Sequence, residues 1–579
     1  MKQYFFSKIL VALFVLALVL TLASCNKEET EKADNDTATT EDVVVPDESR
    51  AYMKLDESVE IFCTRQWAPE ISSASAKIAK AIKDATGLEL QIVYEADNKG
   101  SQIVVGYAEG SSVSCEAYKA ITLDQYAVAV DGNNAVLAAY TLENLEKAVD
   151  EFIATSIVKQ NDTWSIGSVA PSDKHQKEAT SISVYKIVYS AEAEDYIVNE
   201  TVPLLQDMIF DRAKVRLEAV SDAEPATEHE IVIGNTNRST KAVGSYFEGE
   251  NAFKDYRSAV IIANSKVFLI GGESASMGVS VAKLANYIID ADYGPKLLDL
   301  DARNYISQKM ITTNPSELAD GADVRVMSYN VLNPAWGDAS RGELNKVESR
   351  IDSFIDLALY YRPDVIGVQE AAYDWQRHFD KYLVKSGMYK QCCNSSDGKY
   401  IMTGFLYNSS TLDLVDSYII DIDPKSDIRV VSVAVFETLA SGERFVVINT
   451  HPAPQSQKPY AEHMKAIMEI ESAEMEKYKD LPILLTGDFN TYENQAEYVT
   501  LKDTLKVENV KDKAEQILNN YVTNWFKKPV ECKGTCCIDH IFVNENVDVK
   551  LYSAVIHDGI ELGSDHIPIY ADVSLGKGE

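Results

Sequence analysis

Apolar residues recur along this chain with two periods, near 2 and near 3.6, and the changes between them mark the predicted elements. An apolar run, Ile9–Leu22, comes first. Val59–Cys63 then reads as a strand, Ser73–Thr86 as an amphipathic helix ended by Gly87, and Leu88–Tyr94 and Gln102–Gly106 as strands. Tyr126–Val130 and Ala135–Tyr140 form a hairpin around Asp131-Gly132-Asn133-Asn134, and Leu142–Ile153 closes the unit as a helix. The order then returns with strand Val184–Tyr189, helix Glu192–Phe210 and strands Val215–Val220 and Glu230–Gly234. A hairpin, Ala259–Ala263 with Lys266–Ile270, turns at Asn264-Ser265, and helix Ala275–Ile289 follows. Gln102-Ile103-Val104-Val105-Gly106 and Glu230-Ile231-Val232-Ile233-Gly234 are the closest match between the copies. The pattern predicts two copies of one α+β unit, at 56–170 and 180–308.

From Val324 the pattern changes. Val324–Leu332 reads as a strand ending in an Asn, Asn330. A helix with apolar Val347, Ile351, Phe354, Ile355, Ala358 and Leu359 stops at Pro363. Asp364–Gln369 is a buried strand ending at Glu370, and Phe445–Asn449 ends at Thr450-His451. Helix Glu462–Tyr478 leads to Pro482–Gly487, which ends at Asp488-Phe489-Asn490. Ile538-Asp539-His540 and Ser564-Asp565-His566 follow. Apolar strands that stop repeatedly at Asn, Glu, Asp or His place those side chains on one rim of a sheet. Carboxylates and Asn carbonyls suit a hard cation, Mg²⁺ or alternatively Mn²⁺ or Ca²⁺. Imidazoles beside carboxylates suit proton transfer and stabilisation of phosphoryl charge.

Charge narrows the functional classes. The 579 residues exceed one ordinary core and carry 89 Asp+Glu against 55 Lys+Arg, a net −34. Residues 321–579 hold 40 acidic and 26 basic side chains, or −14, which leaves −20 before them. Tight binding to a phosphate backbone needs basic clusters, so no stable nucleic-acid complex is expected.

The N-terminus reads as an address. Lys2 and Lys8 flank the start of a run too short for a comfortable membrane span, which ends in Leu22-Ala23-Ser24-Cys25. Small residues before a cysteine resemble the bacterial lipobox, so residues 1–25 are expected to be a signal peptide ending at a lipidated Cys25. Lys27-Glu28-Glu29 resembles a surface-export signal of some Gram-negative lipoproteins. The acidic stretch 26–55 is expected to be a disordered tether. This places the protein in the cell envelope, anchored to the membrane through its lipid and exposed outside the cytoplasm. Cys532, Cys536 and Cys537 are expected as a short-loop disulfide or free thiols rather than a zinc site.

Six blocks in the last part, Ser328–Leu332, Gln369-Glu370, Asn449–His451, Gly487–Asn490, Ile538–Phe542 and Ser564–Pro568, stand in the order of a known family. Residues 321–579 resemble the endonuclease/exonuclease/phosphatase superfamily, the fold of pancreatic-type deoxyribonuclease and sphingomyelinase. The resemblance implies a C-terminal four-layered αββα sandwich, so that with the two small repeated α+β domains read from the pattern before it the chain is of the α/β class. It implies Glu370 as principal metal ligand, Asn330 beside it on metal-bound phosphate or water, and Asp565 near the metal. Asp488 would polarise the attacking water, with Asn490 on a phosphate oxygen or orienting Asp488. His566, its tautomer fixed by Asp539, would stabilise or protonate the phosphorane, and His451 and Arg429 would contact phosphate. Tyr400 is a further phosphate-contacting candidate. His540 is expected to be a filler, and His463 and His378 ordinary surface residues. The two repeated units resemble small α/β domains that precede the catalytic domain in some bacterial glycosidases, which suggests a spacer or a glycan contact.

The resulting expectation is an exported, lipid-anchored, divalent-metal-dependent phosphoesterase. It would act on a phosphodiester, nuclease-like or small. A non-catalytic glycan-binding lipoprotein that retains the hydrolase scaffold is the alternative. A glycosidase would need a pair of carboxylates flanking a sugar pocket, and residues 56–308 supply no convincing pair.

Overall fold

The computed structural model describes residues 49–576 except 65–67, 95–99, 109–111, 161, 173–178, 293, 311, 313, 337–345, 396–400, 423–428, 525–530, 532–536 and 557–562. Cys25, most of the expected tether, Tyr400, Cys532 and Cys536 lie outside the described residues. Cys63, Cys392, Cys393 and Cys537 are free thiols.

The two repeated units share one sheet plan. In the first, the strand order is Gln91–Val93, Glu60–Cys63, Gln102–Val105, Asn134–Ala139, Tyr126–Val130. In the second it is Ala219–Ser221, Lys186–Tyr189, Glu230–Ile233, Lys266–Gly271, Ser258–Ala263, with Tyr305–Ile306 added at the edge. In each copy the four strands before the hairpin's outer arm are parallel. The correspondence read from Gln102–Gly106 and Glu230–Gly234 falls on equivalent central strands.

Local differences have tertiary causes. The tether expected to reach residue 55 ends earlier, because Tyr52–Lys54 is a strand paired with Ser165–Gly167 and Met53 is fully buried. The helix expected over 275–289 stops at Leu284, and Ile288-Ile289 pairs with Leu297-Leu298 instead. β-branched residues that fit the helical spacing are taken by a distant strand.

The C-terminal domain is built from β1 (Val324–Asn330), α1 (Ile351–Tyr361), β2 (Val365–Gln369), α2 (Tyr373–Phe379), β3 (Tyr389–Cys392), β4 (Phe405–Asn408), β5 (Leu412–Asp421), β6 (Val430–Thr438) and β7 (Arg444–Thr450). α3 (Tyr460–Lys477), β8 (Ile483–Asp488), α4 (Ala496–Leu505), β9 (Asp539–Val543), β10 (Asp548–Ala554) and β11 (Ile569–Ser574) complete it. One sheet runs β3-β4-β2-β1-β11-β10 with Gln516-Ile517 at its edge. The other runs β5-β6-β7-β8-β9 with Glu508-Asn509 at its edge. The sheets face each other, with β1 and β2 against β8. The apolar faces of α1 and α2 cover the first sheet, and those of α3 and α4 cover the second. This is the αββα layering implied by the resemblance.

Polar side chains pin the sheets together beneath the rim. Gln369 Nε2 donates to Asn449 Oδ1 (2.7 Å), and Asn449 Nδ2 donates to the carbonyls of Val368 (2.9 Å) and Gly404 (3.0 Å). Gly367 is required there, because a Cβ would collide with the Thr486 hydroxyl of the opposite sheet. At the edge of β1, Arg325 forms a bidentate, fully buried pair with Asp572 of β11, at 2.6 and 2.8 Å. Among the described residues, no helix is long and apolar enough to cross a membrane.

Candidate active site

β1 and β2 are parallel, as are β7 and β8, while β9 and β11 run antiparallel to their neighbours. The C-terminal ends of the first four strands and the N-terminal ends of β9 and β11 therefore meet on one rim. Asn330 ends β1, Glu370 follows β2, His451 follows β7, Asp488 ends β8, Asp539 starts β9, and Asp565 and His566 precede β11. Asp488 and Asp539 are direct cross-strand partners.

Asn330 is fully buried and joins the two halves of this rim. Its Nδ2 donates to Glu370 Oε1 and to Asp488 Oδ2, both at 3.0 Å, while its Oδ1 accepts from Leu332 N. Glu370 Oε2 accepts from Asn333 N at 2.7 Å. Glu370, Leu332 and Asn490 have left-handed backbones, with φ of 60°, 58° and 51°. Such conformations cost a non-glycine residue about 1–2 kcal/mol each and persist where surrounding contacts hold them.

Asp488 lies between two imidazoles. His451 Nε2 is 3.4 Å and His566 Nε2 3.8 Å from its Oδ2, and Asn490 N donates to its Oδ1 at 2.9 Å. Burial would raise its pKa. The hydrogen bond from His451 and the charges of His566 and His451 outweigh burial and hold Asp488 well below the usual carboxylate range. His566 Nδ1 bonds Asp539 Oδ2 at 2.8 Å. Burial opposes charging His566, yet the Asp539 and Asp488 carboxylates raise its pKa well above the ordinary value. Burial raises Asp539. The three groups thus favour an ionised Asp488 beside a protonated His566 at neutral pH.

Arg429 is buried and donates to the carbonyls of His451 (2.8 Å) and Pro452 (3.0 Å), with Glu370 and Asp488 close enough to act on its charge. Asn490 Nδ2 donates to the Pro452 carbonyl at 3.2 Å. Its contact with Asp488 is made by the backbone. Asp565 is partly exposed, and its charge acts on Arg350, Tyr329 and His566. The nine described catalytic and metal-binding candidates named from sequence are on this rim or in contact with it, and Tyr400 lies outside the described residues.

The lesser histidines divide. His540 is buried between Asn509 and Thr491, a filler as expected. His463 departs from expectation. It is buried and its Nδ1 accepts from Ala453 N, bracing the loop after His451. His378 is partly buried beside Glu348.

Sequence reasoning passed over Arg350. It is 2% exposed, its Nη1 donates to the carbonyls of Val331 and Gly563, and its Nη2 is buried without a hydrogen-bond partner. Glu370 and Asp565 act on its charge. Its one sequence signal is an arginine at the start of a helix whose next turns are apolar.

The donor set fits a hard cation. Glu370 Oε1 and Asp488 Oδ2 share one hydrogen-bond donor at 3.0 Å each, which limits their separation to 6.0 Å. Asp488, Asp539 and His566 also present ligand atoms within 4.8 Å of one another. In that trio His566 Nδ1 is already committed to Asp539. The trio therefore suits proton handling, while the Glu370 side of Asn330 retains acceptor capacity on both carboxylate oxygens.

A model of the endonuclease/exonuclease/phosphatase family matches residues 327–566. Among solved structures, a family protein from Bacteroides thetaiotaomicron is similar at 21% identity, covering 43% of this chain and 97% of that one, with a TM-score of 0.37. Mannosyl-6-phosphatase of Bacteroides thetaiotaomicron is similar at 21% identity over 44% of this chain and 100% of that one, with a TM-score of 0.36. D. rerio TDP2 complexed with single strand DNA product is similar at 20% identity over 43% of this chain and 98% of that one, with a TM-score of 0.36. No curated protein sequence matches the chain. Over residues 327–566, less than half of its length, the chain is therefore similar to the endonuclease/exonuclease/phosphatase family.

Proposed function

We propose that the chain is a divalent-metal-dependent phosphoesterase that hydrolyses a phosphodiester by in-line attack of water, exported and held to the membrane through a lipid on Cys25. The observation that carries the catalytic part is Asn330, which bridges the carboxylates of Glu370 and Asp488, with two imidazoles close to the same Asp488 oxygen, Oδ2.

Glu370 would hold the cation, with Asp565 nearby. Mg²⁺ is the first choice for an oxygen donor set, Mn²⁺ or Ca²⁺ the others. A bound cation supplies neutralisation of the phosphate charge. Asp488 accepts a hydrogen bond from the attacking water and aims its oxygen at phosphorus. The water oxygen–phosphorus bond forms as the bond to the leaving oxygen breaks; the water's proton passes to Asp488, and the leaving oxygen departs with the bonding pair and takes a proton from solvent. The Nε2–H of protonated His566 donates to a phosphoryl oxygen as charge develops, and Asp539 keeps the ring oriented. His451 presents a second imidazole to the phosphate, and Arg429 adds positive charge on the same side. Asn490 holds Asp488 through its backbone N–H.

The test is hydrolysis by the detergent-solubilised full chain of bis-p-nitrophenyl phosphate, p-nitrophenyl phosphate, DNA, RNA, sphingomyelin and inositol phosphates, with Mg²⁺, Mn²⁺, Ca²⁺ or EDTA. Turnover should fall about 10²–10⁴-fold in Asp488→Ala and in His566→Ala, and vanish with EDTA. Turnover indifferent to EDTA and to both substitutions would overturn the proposal.

A further inference from the structure

A groove of about 1080 Å³ lies between the second repeated unit and the catalytic domain. Helices Val202–Ala213 and Ser274–Leu284 of the unit form one wall. The other wall is α2, the helical turn Asp380–Val384 after it, and β3. The walls are fixed to each other. Lys283 of the unit pairs with Asp352 of α1, Glu273 pairs with Arg362, and Asn286 Nδ2 donates to the Tyr382 hydroxyl at 2.8 Å. Gly278 approaches so closely that an added Cβ would sit 2.9 Å from the Ser386 carbonyl oxygen. The groove is therefore preformed.

One end of the groove lies beside the start of α2, the helix that follows Glu370. Tyr373 lines it three residues after Glu370, and the Gln376 amide ties it to the rim through the Ala371 and Ile401 carbonyls. From Tyr373 to Val384 the helical path is about 18 Å long. That is longer than a small phosphate ester, so a molecule filling the groove from the rim has a chain of its own.

The lining is chemically mixed. Arg212, Arg377, Lys381 and Lys385 bring four cations into a protein of net charge −34. Lys385 is exposed and makes no ion pair or side-chain hydrogen bond with the described residues. The Lys381 ammonium is lowered in pKa by burial and by the neighbouring cations Lys283, Arg212, Lys385 and Arg377. Of the lining carboxylates, Asp207 is paired with Arg216 and Asp290 with Arg212 and Lys296. Asp211 and Asp380 remain as acceptors for hydroxyl groups. Tyr373 is 55% exposed and offers a ring face at the rim end.

We propose that this groove binds an oligosaccharide carrying sparse anionic groups, phosphate or carboxylate, and presents it to the catalytic rim as the body of the substrate. Hydroxyls pair with Asp211 and Asp380, a sugar face stacks on Tyr373, and the anionic groups pair with Arg377, Lys381 and Lys385. A nucleic acid would bring one phosphate per nucleotide past the same carboxylates, so the lining disfavours it. The binding step stands on the groove alone; its description as substrate binding rests on the phosphoesterase reading.

The test uses Asp488→Ala full chain, which cannot turn substrate over, and calorimetric titration with four probes. These are an oligogalacturonate, a phosphorylated mannose oligosaccharide, neutral maltohexaose and a single-stranded oligonucleotide. Either anionic saccharide should bind, and at least ten-fold more weakly after Arg377→Glu plus Lys385→Glu, both exposed positions. Hydrolysis of bis-p-nitrophenyl phosphate by the double variant with Asp488 intact should stay within two-fold of wild type. Tyr373→Ala should weaken saccharide binding alone. Saccharide affinity unchanged by the double variant, no saccharide binding, or binding of the oligonucleotide in preference would each overturn the proposal. Saccharide binding that the double variant abolishes, in a protein that hydrolyses no ester, would uphold the groove and overturn only the catalytic reading.

Discussion

Glu471 gives the sharpest quantitative test of the packing described for α3. The buried face of that helix is Tyr460, His463, Met464, Ile467 and Glu471, so a carboxyl group occupies a core position. It is fully buried, and neither of its oxygens has a hydrogen-bond partner. Burial alone pushes its pKa from 4.5 up to about 8. Below pH 4.5 both folded and unfolded states hold the proton, and stability is at its full value. Between 4.5 and 8 only the folded state holds it, so the free energy of unfolding falls by about 1.4 kcal/mol per pH unit. Above 8 it is flat. The interval of 3.5 units sets a ceiling of about 5 kcal/mol on the loss. Water entry and local relaxation reduce it, and about 2 kcal/mol would still be easily read. Glu471→Met keeps the side-chain length and removes the titration. Urea unfolding of wild type and variant at pH 5, 7 and 9 should show a stability gap that widens with pH in favour of the variant. A gap constant across pH would refute the reasoning.

Asn330→Ala removes the single donor shared by Glu370 and Asp488. Two charge-assisted bonds at about 1.5–3 kcal/mol each predict a fall of at least about 10²-fold in kcat/KM and about 10–100-fold weaker metal binding, read by kinetics and by metal titration. Activity within two-fold of wild type would contradict it. Asp539→Asn takes away the charge that most raises His566, so the imidazole loses its proton at lower pH. The alkaline limb of the pH–rate profile should move to lower pH, and an unmoved limb would count against the Asp539–His566 pair. Gly367→Ala drives a methyl into Thr486 across the sandwich and should cost about 1–3 kcal/mol in thermal unfolding, whereas an unchanged melting temperature would mean the sheets can part there.

The rim was legible in the sequence because each strand there is an uninterrupted apolar run that stops at a polar residue. Val365–Gln369 followed by Glu370 and Ile483–Asp488 need only a buried parallel strand and one charged end to be read. The repeat was legible because both copies keep the same strand beside the same glycine. What escaped depends on distant partners. His463 and Glu471 sit on a helix rich in charged residues, and only the sheet beneath decides which of them face inward. Arg350 is recognised by the carbonyls of Val331 and Gly563, the latter more than two hundred residues away. Gln369 and Asn449 lie within motifs whose neighbours drew attention, and their work of bonding one sheet to the other has no sequence-local sign. Ile288-Ile289 was read as helix because spacing cannot anticipate a strand at Leu297-Leu298.

The pairing of β1 with β11 puts Val324 opposite Val573, so the two ends of the catalytic domain lie side by side. The strand that carries Asn330 waits for a neighbour made about 240 residues later, and the Arg325–Asp572 bond closes only then. A nascent chain therefore holds the components of the site, but not the site, until almost the entire domain has left the ribosome. That delay keeps the polar rim unassembled during synthesis. The same adjacency makes the domain a loop in topological terms, one that could be cut at a surface turn and rejoined at 324 and 573 with its rim undisturbed.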